Sequence, residues 1–386
     1  MDKILKFPPG FLWGSSTSAY QVEGNIENCN WAKDFPAGIA CDHYNRYEED
    51  FDLLKKLNQN VHRFSIEWSR IEPEEGKFNQ KEIEHYREVI SSLRKRDIEP
   101  FVGLWHWPIP LWLEAKGGWK SKKIIYYFAR YSEKVVSNLK DEVKFWITIN
   151  EPEGYAICSY LLGLWPPKEK NFLSFLKVIH NLIKAHNKSY KIIKSIQPKA
   201  QVSIASNNNY YEAYKNRSIS VLLKSIVEKL DHFYFLDRIN NYQDFIGLNY
   251  YLRNLIKGFK FNQNENKIIS DLGWEVYPEG IYYVLKNLKK YKKPIYITEN
   301  GLADAKDLLR KDFIKDHLYW TYKAIQEGVD VRGYFHWSLM DNFEWHRGFG
   351  PRFGLIEIDY KTLERKPRPS AYHYAEICKN NALIID

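Results

Sequence analysis

The stretch "PIYITE" (294–299) sets four apolar residues and a β-branched threonine before a glutamate, and Asn300 and Gly301 follow at once. The first five positions read as a buried strand. An ionised carboxylate at the end of such a strand is expensive to bury unless it is paired or hydrogen-bonded. Glu299 therefore either meets water where the strand ends or has partners supplied from elsewhere in the chain.

Seven more runs share this character: "FLWGSST" (11–17), "VHRFSIEW" (61–68), "PFVGLWHW" (100–107), "KFWITINE" (144–151), "QVSIASNN" (201–208), "FIGLNYY" (245–251) and "VRGYFHWSL" (331–339). Between them lie longer stretches with apolar residues at helical spacing. The first, 42–57, places Tyr47, Phe51, Leu54 and Leu57 on one face. The others fall at 80–96, 121–139, 175–196, 217–238, 277–291 and 312–328, with 370–380 closing the chain. Eight strand–helix units predict an α/β protein built as a closed (β/α)8 TIM barrel. No linker or low-complexity tract interrupts the pattern, so 1–386 reads as a single domain. The irregular piece at about 22–41 reads as a loop on the barrel mouth.

The net charge of +9 is spread over many helices, as in "VLKNLKKYKK" (284–293), which indicates a solvated surface rather than a nucleic-acid site. Cys29, Cys41, Cys158 and Cys378 form no CxxC pair, so neither a disulfide framework nor a zinc site is expected. No apolar run reaches the ~18 residues of a membrane span, and the N-terminus has no signal-peptide pattern. The expectation is a cytoplasmic enzyme with free thiols. Aromatic residues reach 16% of the chain, more than is usual, and most read as core.

Barrel active sites lie at the C-terminal strand ends. Here those ends deliver Gln21 and Glu23; Arg63, Glu67 and Trp68; Trp105, His106 and Trp107; Asn150 and Glu151; Asn207 and Asn208; Asn249, Tyr250 and Tyr251; Glu299 and Asn300; and His336 and Trp337, followed by Glu344 and Trp345. A ring of polar and aromatic groups is not what packing alone would place there. Two carboxylates on well-separated strands can share a bound sugar ring: one protonates a leaving oxygen while the other attacks or activates water.

"WITINEP" (146–152), "YITENG" (296–301) and "FLWGSSTSAYQVEG" (11–24) resemble glycoside hydrolase family 1, the β-glucosidase and β-galactosidase family. The resemblance runs through "HRFSIEWSRI" (62–71), "LWHWPIPLWL" (104–113), "DFIGLNYY" (244–251), "GWEVYPEGIY" (273–282) and "WSLMDNFEW" (337–345), in the family's order. It implies a retaining β-glycosidase that takes a β-glycoside or oligosaccharide and needs no cofactor or metal. Glu299 would be the nucleophile and Glu151 the acid/base. Asn150 would bond the sugar 2-hydroxyl, and Arg63 and Tyr251 would hold Glu299 ionised and oriented. Gln21, His106, Trp107, Glu344 and Trp345 would grip the other hydroxyls, with Trp337 under the ring. Asn249 joins this substrate set, and Trp274 would line the leaving-group side.

The chain is shorter than is usual for the family, with shortened loops expected at about 163–175, 209–243 and 302–311, and hence a more open mouth. Pro108 follows Trp107 where the family often has an acidic residue. Glu344 argues against 6-phospho-sugars, since a carboxylate repels a phosphate. A metal-dependent hydrolase barrel would want an HxH on its first strand, which "FLWGSST" lacks. A catalytically silent sugar-binding barrel would have lost Glu151 or Glu299. A transglycosidase would use the same residues.

Overall fold

The computed structural model describes residues 3–385. All eight apolar runs form strands: β1 (Leu12–Ser16), β2 (Val61–Ser65), β3 (Glu99–Gly103), β4 (Phe145–Asn150), β5 (Gln201–Asn207), β6 (Ile246–Asn249), β7 (Ile295–Asn300) and β8 (Val331–Trp337). Each pairs in parallel with its sequence neighbours, and β8 pairs with β1 to close the barrel. The predicted (β/α)8 barrel is therefore the observed one.

The α-helices of six residues or more are α1 (His43–Lys56), α2 (Gln80–Lys95), α3 (Ile124–Leu139), α4 (Phe172–Ile196), α5 (Ser218–Glu228), α6 (Tyr234–Ile239), α7 (Glu279–Leu288), α8 (Arg310–Gln326) and α9 (Pro369–Asn380). Local chemistry sets several of their ends. Asn79 and Asn171 cap α2 and α4 by accepting from backbone N–H groups in the first turn. Along α2, Ile83, Tyr86, Val89, Ile90 and Leu93 make one buried stripe.

Two apolar layers follow. One fills the space between strands and helices and takes up most of the tryptophans, with Trp13, Trp31, Trp68, Trp105, Trp119 and Trp146 nearly inaccessible. The other plugs the barrel itself. Phe101, Phe145, Phe245, Tyr296 and Phe335 come from strands all round the ring and meet in one cluster, with Phe101 and Phe145 stacked at 4.4 Å. Because this plug is solid, a cleft at the C-terminal strand ends is closed off from the other end of the barrel.

Three short pairings were not expected: Lys3–Lys6 with Ala382–Ile385, Tyr210–Ala213 with Arg253–Ile256, and Ile356–Ile358 with Arg365–Pro367. The helix read over 217–238 is two helices joined by a π-helical turn, Lys229–Phe233. The mouth segment 22–41 contains a short helix, Asn30–Asp34. Among the described residues no helix is long and apolar enough to cross a membrane.

Candidate active site

Glu299 sits one residue from the end of β7 and is buried. The guanidinium of Arg63, on β2, contacts its Oε1, and the Tyr251 hydroxyl donates to its Oε2 at 2.6 Å. Both partners are donors, so both interact most strongly with the charged carboxylate. The second branch of Arg63 donates to Asn150 Oδ1 at 2.6 Å. Asn150 Nδ2 in turn donates to His106 Nε2 at 3.0 Å, which leaves the His106 proton on Nδ1. Burial, with Arg63 adding to it, holds His106 well below the usual histidine range, so the ring is neutral.

Glu151 follows β4 with a left-handed backbone, φ 43°, before Pro152 starts a short helix. That conformation costs on the order of 1–2 kcal/mol for a residue with a Cβ, and it is held where strand turns into helix. Asn249 Nδ2 donates to Glu151 Oε1 at 2.8 Å, and Thr298 fixes Asn249 by donating to its Oδ1 at 2.7 Å. Asn207, at the end of β5, lines the same cavity as Glu151. Burial first, and the nearby charge of Glu299 second, push the Glu151 carboxyl up to about 7. Glu344 is pushed up to about 8 by burial and then by Glu299 and Glu151.

These groups surround a cavity of about 230 Å³. Of the residues read from sequence, Glu151, Glu299, Tyr251, His106, Trp107, Trp274, Trp337, Glu344 and Trp345 line it. Gln21, Arg63, Asn150 and Asn249 stand behind, bonded to residues that line it or that hold its wall. Gln21, for example, donates to Asn342 Oδ1 and the Phe343 carbonyl, both at 2.9 Å, and reaches Glu344 at 3.5 Å. The aromatic wall is continuous. The His106 ring lies nearly parallel to Trp345 and Trp337 at 5.8 and 5.9 Å, and Trp107 packs on Trp345 at 4.4 Å. Trp274, about a third exposed, stands near Tyr251 and Phe353 at the rim.

Other polar strand ends do different work. Glu67 accepts from the Ser69 backbone and hydroxyl and caps a short helix. Glu23 pairs with Arg70 and accepts from Tyr86. His336 is buried and has no hydrogen-bond partner among the described residues.

Trp165 and His346 also line the cavity, and Trp165 Nε1 donates to His346 Nδ1 at 2.9 Å. Sequence reasoning missed both, because each comes from an irregular segment with no period to read. Asn207 was visible as a strand end, yet nothing in the sequence placed it in the cavity.

Comparison with known proteins agrees with this geometry. The sequence model of glycosyl hydrolase family 1 matches residues 4–237 and 235–383. β-Glucosidase A of Thermotoga maritima is 35% identical, with 98% of this chain and 99% of that protein covered. A β-galactosidase of Sulfolobus acidocaldarius is 32% identical over 98% of this chain and 96% of its own length. The solved structure of a β-glycosidase from Pyrococcus horikoshii superposes with a TM-score of 0.94 at 39% identity, covering 99% of this chain and 96% of that one.

Proposed function

The chain belongs to glycosyl hydrolase family 1, and on that footing we propose that it removes terminal non-reducing β-D-glycosyl residues with retention, acting as a β-glucosidase that also accepts galactosides and fucosides. The observation that carries the reading is one cavity with two differently supported carboxyls. Glu299 is met by a guanidinium and a phenol, while Glu151 is met by the Asn249 amide and is pushed up to about 7.

In the proposed first step a Glu299 oxygen attacks the anomeric carbon. The bond to the leaving oxygen breaks, and that oxygen takes the Glu151 proton. Arg63 and Tyr251 hold Glu299 in line, and Asn150, fixed between Arg63 and His106, faces the sugar 2-hydroxyl. Glu344, Gln21, His106, Trp107, Asn249, Trp337 and Trp345 form the sugar site, and Trp274 borders the leaving group. Once Glu299 is esterified its charge is gone. The second of the two causes that raised Glu151 is then removed, its carboxyl becomes more acidic, and Glu151 can accept a proton from water in the second step. The four cysteines, all free, support a cytoplasmic setting.

The test is nitrophenol release from β-linked glucoside, galactoside, fucoside, mannoside and xyloside, with Glu299→Ala alongside. Activity on glucosides or galactosides that falls by roughly four orders of magnitude or more in the variant is expected. A folded protein inactive on every member of the panel would overturn the reading.

A further inference from the structure

Helix α5 turns the usual pattern of a surface helix inside out. Such a helix normally buries an apolar stripe and shows polar residues to water. Of the residues of α5 only Ser220 is buried, with Leu223 and Val227 half-buried. Ile219, Leu222 and Ile226 are exposed at helical spacing, and Leu230 continues the stripe into the π turn; Leu222 is 56% exposed and Leu230 59%. The loop that follows Arg253–Ile256 lies beside the start of this helix, where the Gly258 N–H donates to Ser220 Oγ at 2.9 Å. That loop carries Phe259, 77% exposed, and Phe261, also exposed. Single exposed apolar side chains are ordinary, but a stripe of isoleucine and leucine beside two phenylalanines marks an interaction surface.

The charge around this stripe decides what covers it. Lys215, Arg217 and Lys257 gather round the Tyr214 ring, at 5.4, 5.7 and 4.8 Å from its centroid. Lys229 follows on the helix side and Lys260 on the loop side, both exposed. None of these cations has a carboxylate partner among the described residues, whereas Lys224 pairs with Glu228. Unpaired cations held close together favour an anionic partner. A second copy of the chain is disfavoured, because a two-fold pairing sets the cations of one copy against those of the other. A nucleic acid answers the charges and leaves the apolar stripe in water. A bilayer of anionic lipid answers both, with phosphates for the cations and acyl chains for the stripe.

We infer that α5 and the 257–261 loop dock the protein on the surface of an anionic lipid bilayer. The helix has 11 residues, too few to cross a membrane, so it lies in the plane of the interface. Its apolar stripe and Phe259 enter the boundary between head groups and chains. The lysines and Arg217 stay at the level of the phosphates, a place their apolar stems and charged heads suit. The patch belongs to the same end of the molecule as the cavity. The paired strands that lead to it, Tyr210–Ala213 and Arg253–Ile256, come shortly after the C-terminal ends of β5 and β6. The inference does not depend on which sugar the cavity takes.

Vesicle flotation of the full chain is the test. One set of vesicles is phosphatidylcholine alone, and the other is an equal mixture with phosphatidylglycerol. Wild type is expected to float with the mixed vesicles, to stay behind with the neutral ones, and to be released by roughly 1 M salt. Two double variants separate the contributions. Arg217→Gln with Lys257→Gln is expected to weaken binding to mixed vesicles by roughly 30-fold, and Leu222→Ser with Phe259→Ser by roughly 100-fold or more. Nitrophenyl glycoside turnover, expected to match wild type in both, reports that each variant is folded. The lipid and salt comparisons need wild type alone, so they stand even if a variant fails to fold. No flotation with mixed vesicles, equal flotation with both sets, or binding that a folded double variant leaves unchanged overturns the inference. A dimer in solution that the apolar variant splits also overturns it, and gives the patch to a second copy.

Discussion

At the scale of residues, the two carboxyls of the cavity differ by what their neighbours offer. Glu299 receives a guanidinium and a phenol, and Glu151 receives the Asn249 amide. A hydrogen bond to a charged group contributes about 1.5–3 kcal/mol, so Tyr251→Phe is expected to lower kcat by about 10- to 150-fold with little change in KM. Steady-state kinetics on a nitrophenyl glycoside checks this; an unchanged kcat would mean that the phenol does not act on Glu299. Both carboxyls were legible because each ends an apolar strand, where a charged side chain has no packing purpose. Asn249 was legible as a strand end, but its role was not. Its hydrogen bonds to Glu151 and Thr298 link β4, β6 and β7, and no sequence pattern encodes a contact between residues so far apart.

At the scale of elements, Gly301 shows how closely strand ends approach each other. A Cβ there would lie 1.8 Å from the Trp337 carbonyl oxygen, on the neighbouring β8. Gly301→Ala must therefore move Trp337 or the end of β7 that carries Glu299. Overpacking of this kind costs about 1–3 kcal/mol. A lower melting temperature together with a raised KM is expected, measured by thermal melts and kinetics on the same preparation. A variant that melts and binds like wild type would contradict the close approach. The eight strands were legible because both their faces are buried, which leaves nearly continuous apolar runs. The added pairs were not. Lys3–Lys6 reads Lys-Ile-Leu-Lys, too short and too polar for its period to stand out. The break at Lys229–Phe233 was hidden because apolar spacing continues through the π turn.

At the scale of the whole molecule, buried ionisable groups tie both activity and stability to pH. Glu151 donates its proton in the first step, so activity should fall as pH rises through about 7. The two carboxyls act together, so the profile is expected to be a bell that reports the coupled pair. A profile with no acidic limb would count against this. For stability, burial holds His62, His106, His186, His232, His317 and His336 below their usual range. Their contribution is fully present above about 6.5, the unfolded value, and is lost as pH falls from there. Glu67, Glu151, Glu153 and Glu344 are pushed the other way by burial. Their contribution is fully present below about 4.3 and is lost as pH rises towards 7–8, the folded values for Glu67, Glu151 and Glu344. Above about 6.5 the histidines no longer contribute a slope and the raised carboxyls do. The thermal midpoint should therefore be lower at about pH 8 than at about pH 6.5; a rise between the two would show that the carboxyls are not raised.

The barrel, the cavity and the proposed chemistry converge on one atom pair, a Glu299 oxygen and the anomeric carbon of the sugar. The most direct measurement is to treat the protein with a 2-deoxy-2-fluoro-β-glucosyl fluoride, whose fluorine slows both steps and whose leaving group restores the first. Mass spectrometry of the intact chain and of its peptides then shows where the sugar rests. The account predicts a gain of one fluoroglucosyl unit on the peptide that carries Glu299, together with loss of activity. A label on the peptide that carries Glu151, or inactivation with the sugar attached elsewhere, would contradict it.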